Sequence, residues 1–98
     1  SMLNQVLELD PEDELANYGL AYVYFHNDTP EKSLPLLKKV IDGNPKYSEA
    51  YLLLGKCFLK LKQNDEAKKV FEKGIEIASA QGDMMPANEM QAKLSSLS

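Results

Sequence analysis

Apolar residues between Ser48 and Ser79 follow two helical patterns that are separated by a short polar break at Gln63-Asn64. Spacings of three and four residues, on both sides of the break, predict two α-helices that each carry one apolar face. Helices this short are only marginally stable alone in water, so we expect them to pack together as an antiparallel hairpin. The apolar faces comprise Tyr51, Leu54, Gly55 and Phe58 before the break, and Ala67, Val70, Phe71, Gly74 and Ile75 after it.

The same pattern recurs 34 residues earlier, which is the distance from position 54 back to position 20. A second shift carries the middle repeat onto the N-terminus, where Asn44-Pro45 falls on Asp10-Pro11. A fixed period with matched apolar positions is typical of a solenoid of stacked helical pairs. The first shift matches Ala50 with Ala16, Leu54 with Leu20, Phe58 with Tyr24, Ala67 with Ser33, Phe71 with Leu37, and Ile75 with Ile41.

A period of about 34 residues with two helices per period is that of the tetratricopeptide repeat, and the chain resembles that family. The resemblance covers residues 1 to about 80. It implies an all-α fold, an α-solenoid of antiparallel helical hairpins in a right-handed superhelix, and a role in binding other proteins. It is carried by Tyr51, Leu54-Gly55, Phe58, Ala67, Phe71 and Ile75 in one repeat, and by Leu20-Ala21, Tyr24, Leu37 and Pro45 in the other.

We predict one domain over residues 1–98, because this length leaves room for a single modest core. It divides into a half-repeat or N-terminal cap at 2–10, repeats at 12–45 and 46–81, and a C-terminal capping helix at 84–97. The expected repeat helices cover 12–26, Thr29-Pro30 to Gly43, about 47–61, and 64–81. Gly43 is expected to end its helix in the left-handed conformation. The capping helix is expected to turn Met84, Ala87, Met90 or Gln91, Leu94 and Leu97 inward.

The segment 2–10 has two interpretations. It is either the end of a hairpin cut from a longer array or a native helix that caps the first hairpin, because terminal repeats need atypical caps. Ser1 before Met2 is typical of a residue left after cleavage of an expression tag, and Met2 is either a native start or a point of excision.

Composition narrows the choice of partner. The net charge is −4 and the sequence pI is about 4.9, so no diffuse basic field attracts nucleic acid or an anionic membrane. The lysines alternate with carboxylates, which is typical of a solvated surface. No apolar run approaches the roughly 18 residues of a membrane span, and with no secretory signal in view we expect a cytoplasmic protein. The single Cys57 is expected to be a small buried hydrophobe.

No residue pattern predicts catalysis, a cofactor or a metal site. The 15 carboxylates are spread over helix starts and solvent faces, whereas acid–base catalysis needs two that converge in a cleft. Cys57 and His26 are the one pair to consider as nucleophile and base, and the repeat register places Cys57 inside the stack and His26 towards its surface. We therefore do not expect an enzyme.

The resemblance implies a concave groove that is lined by the first helix of each hairpin. Two interpretations of its aromatic residues remain: an exposed patch that meets a partner, or rings that pack against neighbouring helices. Tyr is favoured at interfaces because it buries a large area at little entropic cost. By register the candidate partner-binding residues are Leu15, Tyr18, Tyr22, Phe25 and His26 in the first hairpin, and Glu49, Leu52, Lys56, Leu59 and Lys60 in the second.

Some members of the family clamp a terminal carboxylate with a lysine and asparagines. Here Tyr18, Tyr22 and Leu53 occupy the corresponding positions, so that activity is not implied. We expect a non-catalytic adaptor or scaffold that binds a protein or peptide. The alternative is a structural element that assembles into a homodimer through the open ends of the array.

Overall fold

The computed structural model describes residues 10–97, and these fold into five α-helices with no strand among them. This confirms the predicted all-helical class. The predicted helix at the start of the chain lies outside the described residues, except for Asp10. The helices are α1 (Glu14–His26), α2 (Pro30–Gly43), α3 (Ser48–Lys60), α4 (Asn64–Gln81) and α5 (Met84–Leu97).

Local sequence explains how the first two helices begin. Asp13 caps α1, because its carboxylate oxygen Oδ1 accepts a hydrogen bond of 2.7 Å from the backbone N–H of Ala16. Thr29 is the N-cap of α2 and Pro30 is its first residue, as the sequence predicts. The Thr29 hydroxyl does not cap α2, however. It donates instead to the backbone oxygen of Tyr24 at 3.0 Å and so joins the end of α1 to the turn.

The prediction of a left-handed cap at Gly43 is wrong. Gly43 is the last residue of α2, and the C-cap is Asn44, with φ −146° and its N–H bonded to the oxygen of Val40. Asn44 precedes Pro45, and a residue before proline is driven to extended backbone. Within residues 10–97 the left-handed residues are Asp28 (φ 61°), Lys62 (φ 63°) and Gly82 (φ 76°), and the first two stand at matching positions in the turns of the two hairpins.

The helices pack in sequence as hairpins, α1 on α2 and α3 on α4, with α5 against α4. α3 is the centre of the fold, since each of the other four helices contacts it. Its small residue Gly55 lies under the ring of Phe71, which lets α3 and α4 approach closely. Cys57 is fully buried, which confirms the expectation of a small core residue.

The inner face of α5 differs in part from the prediction. Ala87 and Met90 are buried as expected, and Pro86 joins them. Met84, which was expected to point inward, is 51% exposed, and its neighbour Met85 is 86% exposed. Met84 is the first residue of α5, whereas Met90 packs against Gly74 of α4, where an added Cβ would lie 2.5 Å from its sulfur.

Candidate partner-binding face

Aromatic rings follow one side of α1, where the sequence predicts the groove. The rings of Tyr22 and His26 lie 4.3 Å apart between centroids, and His26 meets the edge of Phe25 at 5.2 Å. Tyr18 stacks on Tyr47 of the segment before α3, with centroids 5.2 Å apart and planes inclined by 26°. Contacts between rings at these distances are favourable beyond the area they bury. The predicted set is thus brought together along α1, and Tyr47 extends it.

Exposure divides these α1 residues into two groups. Leu15 is 72% exposed, Tyr22 is 49% exposed, and His26 is also exposed. Tyr18 and Phe25 are half-buried. The two interpretations of the aromatic residues therefore each describe part of the set: Tyr18 and Phe25 pack against neighbours, while Leu15, Tyr22 and His26 present surface to solvent.

Burial changes the acid–base behaviour of Tyr18. Loss of hydration raises its pKa to about 12, and the carboxylate of Glu49 adds to the effect by repelling the phenolate. Burial also raises the pKa of Tyr47. Both phenols are therefore neutral hydrogen-bonding groups at physiological pH.

Lys60 has a structural role that the sequence pattern does not reveal. Its Nζ donates to the backbone oxygen of Phe25 at 3.0 Å and to the Asp28 carboxylate at 3.1 Å. The same Nζ lies 4.1 Å from the centre of the Phe25 ring. Lys60 therefore ties the end of α3 to the end of α1, and its charge is largely used within the molecule.

Lys56 is paired with Glu89 of α5 at 2.9 Å. The lysine side chain is 29% exposed and the glutamate side chain is 47% exposed, so the pair lies at the surface. Glu89 brings α5 to the predicted groove, although it is not among the predicted groove residues. A register based on the 34-residue period could not find it, because the pattern of α5 does not repeat that of α1 and α3.

The remaining candidates on α3 differ in access. Glu49 is exposed and Leu59 is half-buried. Leu52 is only 5% exposed and belongs to the hydrophobic core. It is buried because α3 is covered on several sides, so the side chain of Leu52 supports the face from below and does not reach its surface.

Asn17 is a further residue whose role only the structure reveals. It is 2% exposed, and its Nδ2 donates to the backbone oxygens of Pro11 (3.0 Å) and Asp13 (2.9 Å). The amide therefore fixes the segment that leads into α1. The burial of Asn17 and the positions of its two acceptors depend on how the segment before α1 folds, so a pattern of apolar positions does not reveal them.

Features needed for chemistry are sparse within residues 10–97. No group of three or more His, Cys, Asp or Glu side chains is placed to hold a metal ion there. Burial raises the pKa of the Cys57 thiol, so the thiolate, which is the nucleophilic form, is disfavoured. None of the helices described is both long and apolar enough to cross a membrane.

Helical hairpins that repeat along the chain and share one core define a repeat protein of the tetratricopeptide type. The sequence model of the family described as anaphase-promoting complex, cyclosome, subunit 3, matches residues 2–74, and the chain belongs to this family of tetratricopeptide type. Proteins with this fold commonly mediate protein–protein interaction, and the fold is generally non-catalytic.

Individual relatives agree with this assignment. The chain is 27% identical over 95 residues to TPR repeat-containing protein PA0015 of Pseudomonas aeruginosa, which covers 97% of this chain and 90% of the relative. It is 32% identical to anaphase-promoting complex subunit 3 of Schizosaccharomyces pombe, but that match covers 76% of this chain and only 11% of the relative. The chain therefore corresponds to a small part of that larger subunit.

A solved structure supports the fold directly. The crystal structure of a tetratricopeptide repeat domain protein from Salinibacter ruber superposes with a TM-score of 0.79 at 27% identity. The superposition covers 87% of this chain and 94% of that one. The predicted family and fold class are thus confirmed.

Proposed function

We propose that this chain is a non-catalytic interaction module, an adaptor or scaffold, that binds a peptide or a partner surface on the face formed by α1 and α3. The division into repeats at 12–45 and 46–81, with 84–97 as a capping helix, is part of the proposal. The observation that carries it is the row of accessible side chains on α1: Leu15, Tyr22 and His26 are exposed on one side of the helix.

The chemistry of this face suits an apolar anchor that is accompanied by hydrogen-bonding groups. Tyr22 and His26 offer a tilted pair of rings with polar atoms at their edges, and such residues are enriched in interfaces. Tyr18 and Phe25 hold the face in place from below through Tyr47 and Lys60. A rigid aromatic face loses little conformational entropy when it binds, which favours its use as a docking surface.

The two lysines of the proposed face already form ion pairs within the molecule. Lys56 and Lys60 are engaged by Glu89 and Asp28, respectively. A partner carboxylate must compete with these internal carboxylates. We therefore propose that the exposed ring of Tyr22 supplies most of the affinity and that Lys56 contributes to selectivity.

The test compares partner capture by the wild-type chain, by Tyr22→Ala with Lys56→Ala, and by a control, Val23→Ala with Lys62→Ala. Val23 is 42% exposed and adjacent to Tyr22, and successive residues of an α-helix lie about 100° apart around its axis. Loss of an aromatic interface residue commonly weakens binding by about 2 kcal/mol, roughly thirtyfold. Partners that the wild type and the control retain should be lost with the first variant, and circular dichroism verifies its fold. Equal capture by all three chains would refute the assigned face.

Self-association is the second candidate, favoured by the large apolar side chains of Leu15 and Met85, which are 72% and 86% exposed. Sedimentation velocity at several concentrations distinguishes the two functions. A concentration-dependent dimer that Leu15→Glu disrupts would support self-association. A monomer at every concentration would exclude it.

A further inference from the structure

A second surface lies on the opposite side of α3, between the second helices of the two hairpins. No Cα of α2 lies within 8 Å of a Cα of α4, although both helices pack against α3. The gap forms a cleft of about 250 Å³. Tyr51 and Leu54 of α3, each only 6% exposed, form its floor. No residue that lines this cleft belongs to the proposed partner-binding face.

The walls of the cleft are apolar. Ile41 of α2 and Val70 of α4 line it, and both are half-buried side chains that pack on the hydrophobic core. Filling such a cleft with an apolar group removes apolar surface from water, which is favourable in proportion to the area covered. Pockets for drug-sized ligands usually hold about 300–1,000 Å³, so this cleft fits a single apolar side chain better than a whole small molecule.

The rim of the cleft is positively charged in a chain whose net charge is −4. Lys38 of α2 and Lys69 and Lys73 of α4 surround the apolar walls, and Asp42 is the carboxylate among the lining residues. Lys69 makes a loose ion pair with Glu66 at 4.0 Å between well-exposed side chains. Exposed amino groups can meet an incoming carboxylate with little loss of hydration, and complementary charge speeds the encounter.

We propose that the cleft between α2 and α4 binds an acidic peptide segment whose one large apolar side chain inserts between Ile41 and Val70. Carboxylates on either side of that side chain pair with the three rim lysines. The module then has two independent docking surfaces, one on the α1–α3 side and one on the α2–α4 side.

Fluorescence anisotropy tests the proposal with a labelled synthetic peptide in which one leucine is flanked on each side by three glutamates. The wild-type chain should bind it saturably, and replacement of the leucine by alanine should raise Kd at least about tenfold. Raising the salt from about 0.1 M to about 1 M shortens the Debye length from ~10 Å to ~3 Å and should also weaken binding strongly. A peptide that binds equally well without its leucine would overturn the proposal, because charge alone would then explain the binding.

Two protein variants locate the site. Lys69→Glu with Lys73→Glu should raise Kd at least about tenfold, whereas Lys46→Glu with Lys62→Glu, which gives the chain the same net charge, should change Kd less than about threefold. Val70→Phe fills the cleft without altering charge and should also abolish binding. Urea unfolding of each variant verifies that it is folded.

The proposal would also be overturned by no binding by the wild type, by equal loss with both double variants, or by retention of binding by Val70→Phe. A dimer of the wild type that Lys69→Glu with Lys73→Glu dissociates would assign the cleft to a second copy of the chain and overturn it as well.

Discussion

The aromatic ring of Phe71 occupies the space that a side chain at Gly55 would need, so a Cβ added there would overlap the ring. The first hairpin has a different pair of residues at the two corresponding positions. Thirty-four residues earlier, positions 21 and 37 hold Ala21 and Leu37, and both are fully buried members of the hydrophobic core. The second hairpin thus combines a larger side chain, Phe71, with a smaller residue, Gly55, than the first hairpin does with Leu37 and Ala21.

This relationship predicts that Gly55→Ala destabilises the fold. Overpacking costs about 1–3 kcal/mol, and the gain of about 1 kcal/mol in helix propensity offsets only part of it. We expect a net loss of up to about 2 kcal/mol in the free energy of unfolding by urea. Gly43→Ala is the control, because nothing lies within 4 Å of a Cβ at Gly43, and it should be neutral or stabilising by about 0.4–1 kcal/mol.

The double variant Gly55→Ala with Phe71→Leu copies the Ala21–Leu37 pair into the second hairpin. It should be more stable than the sum of the single variants predicts, because the alanine fills space that the smaller leucine leaves. Additive losses would show that Gly55 and Phe71 do not limit each other.

The positive φ of the turn residue Lys62 predicts that glycine at this position stabilises the fold. Its φ of 63° is left-handed, which costs a residue with a side chain about 1–2 kcal/mol relative to glycine. Lys62→Gly should raise the free energy of unfolding by about 0.5–1 kcal/mol after the greater freedom of glycine in the unfolded chain is included. Glu72→Gly, in the exposed interior of α4, is the control and should lower it by up to about 1 kcal/mol. A loss with Lys62→Gly would contradict the assigned backbone geometry.

The contacts of Lys60 with the end of α1 predict that its replacement lowers the free energy of unfolding. Lys60→Met keeps most of the apolar stem but removes the hydrogen bonds to Phe25 and Asp28. We expect a loss of about 0.5–1.5 kcal/mol in urea unfolding, since these bonds are partly exposed to solvent. Lys46→Met, at an exposed position in the linker, should change the stability by less than about 0.5 kcal/mol. Equal effects of the two substitutions would argue against the tie between α1 and α3.

The raised pKa of Tyr18 predicts that the folded chain loses stability at high pH. The neutral phenol is favoured in the folded chain, where the pKa is about 12, compared with an ordinary value of 10.0. The contribution of Tyr18 to stability is therefore complete below pH 10 and is lost progressively between about pH 10 and pH 12. Urea midpoints measured across this range should fall less for Tyr18→Phe than for the wild type.

Titration of tyrosinate absorbance provides the independent check on Tyr18. The component near pH 12 should disappear from the Tyr18→Phe spectrum, while Tyr47 and Tyr51, whose pKa values burial also raises, continue to titrate late. An unchanged high-pH component would show that another tyrosine is the most strongly shielded.

Part of the candidate face follows from the repeat register of the family that the chain resembles, which places Tyr22 and Phe25 together on α1. Periodicity could not distinguish Leu52 from Glu49, because both lie on the same side of α3 and only the surrounding helices decide which one is covered. It could not detect Glu89 beside Lys56 either, since α5 does not repeat the pattern of α3.

The sequence by itself determined the helical hairpins, their 34-residue period and the burial of such positions as Ala67, Phe71 and Cys57. Those features follow from local helix geometry and from the need of each apolar face for a partner. Only the tertiary structure decided that Lys60 is engaged by α1, that Gly43 ends its helix without a left-handed turn, and that α2 and α4 leave a cleft over α3. These depend on distances between helices that are remote in the chain, and a pattern of apolar positions specifies which face is covered but not how closely its neighbours approach.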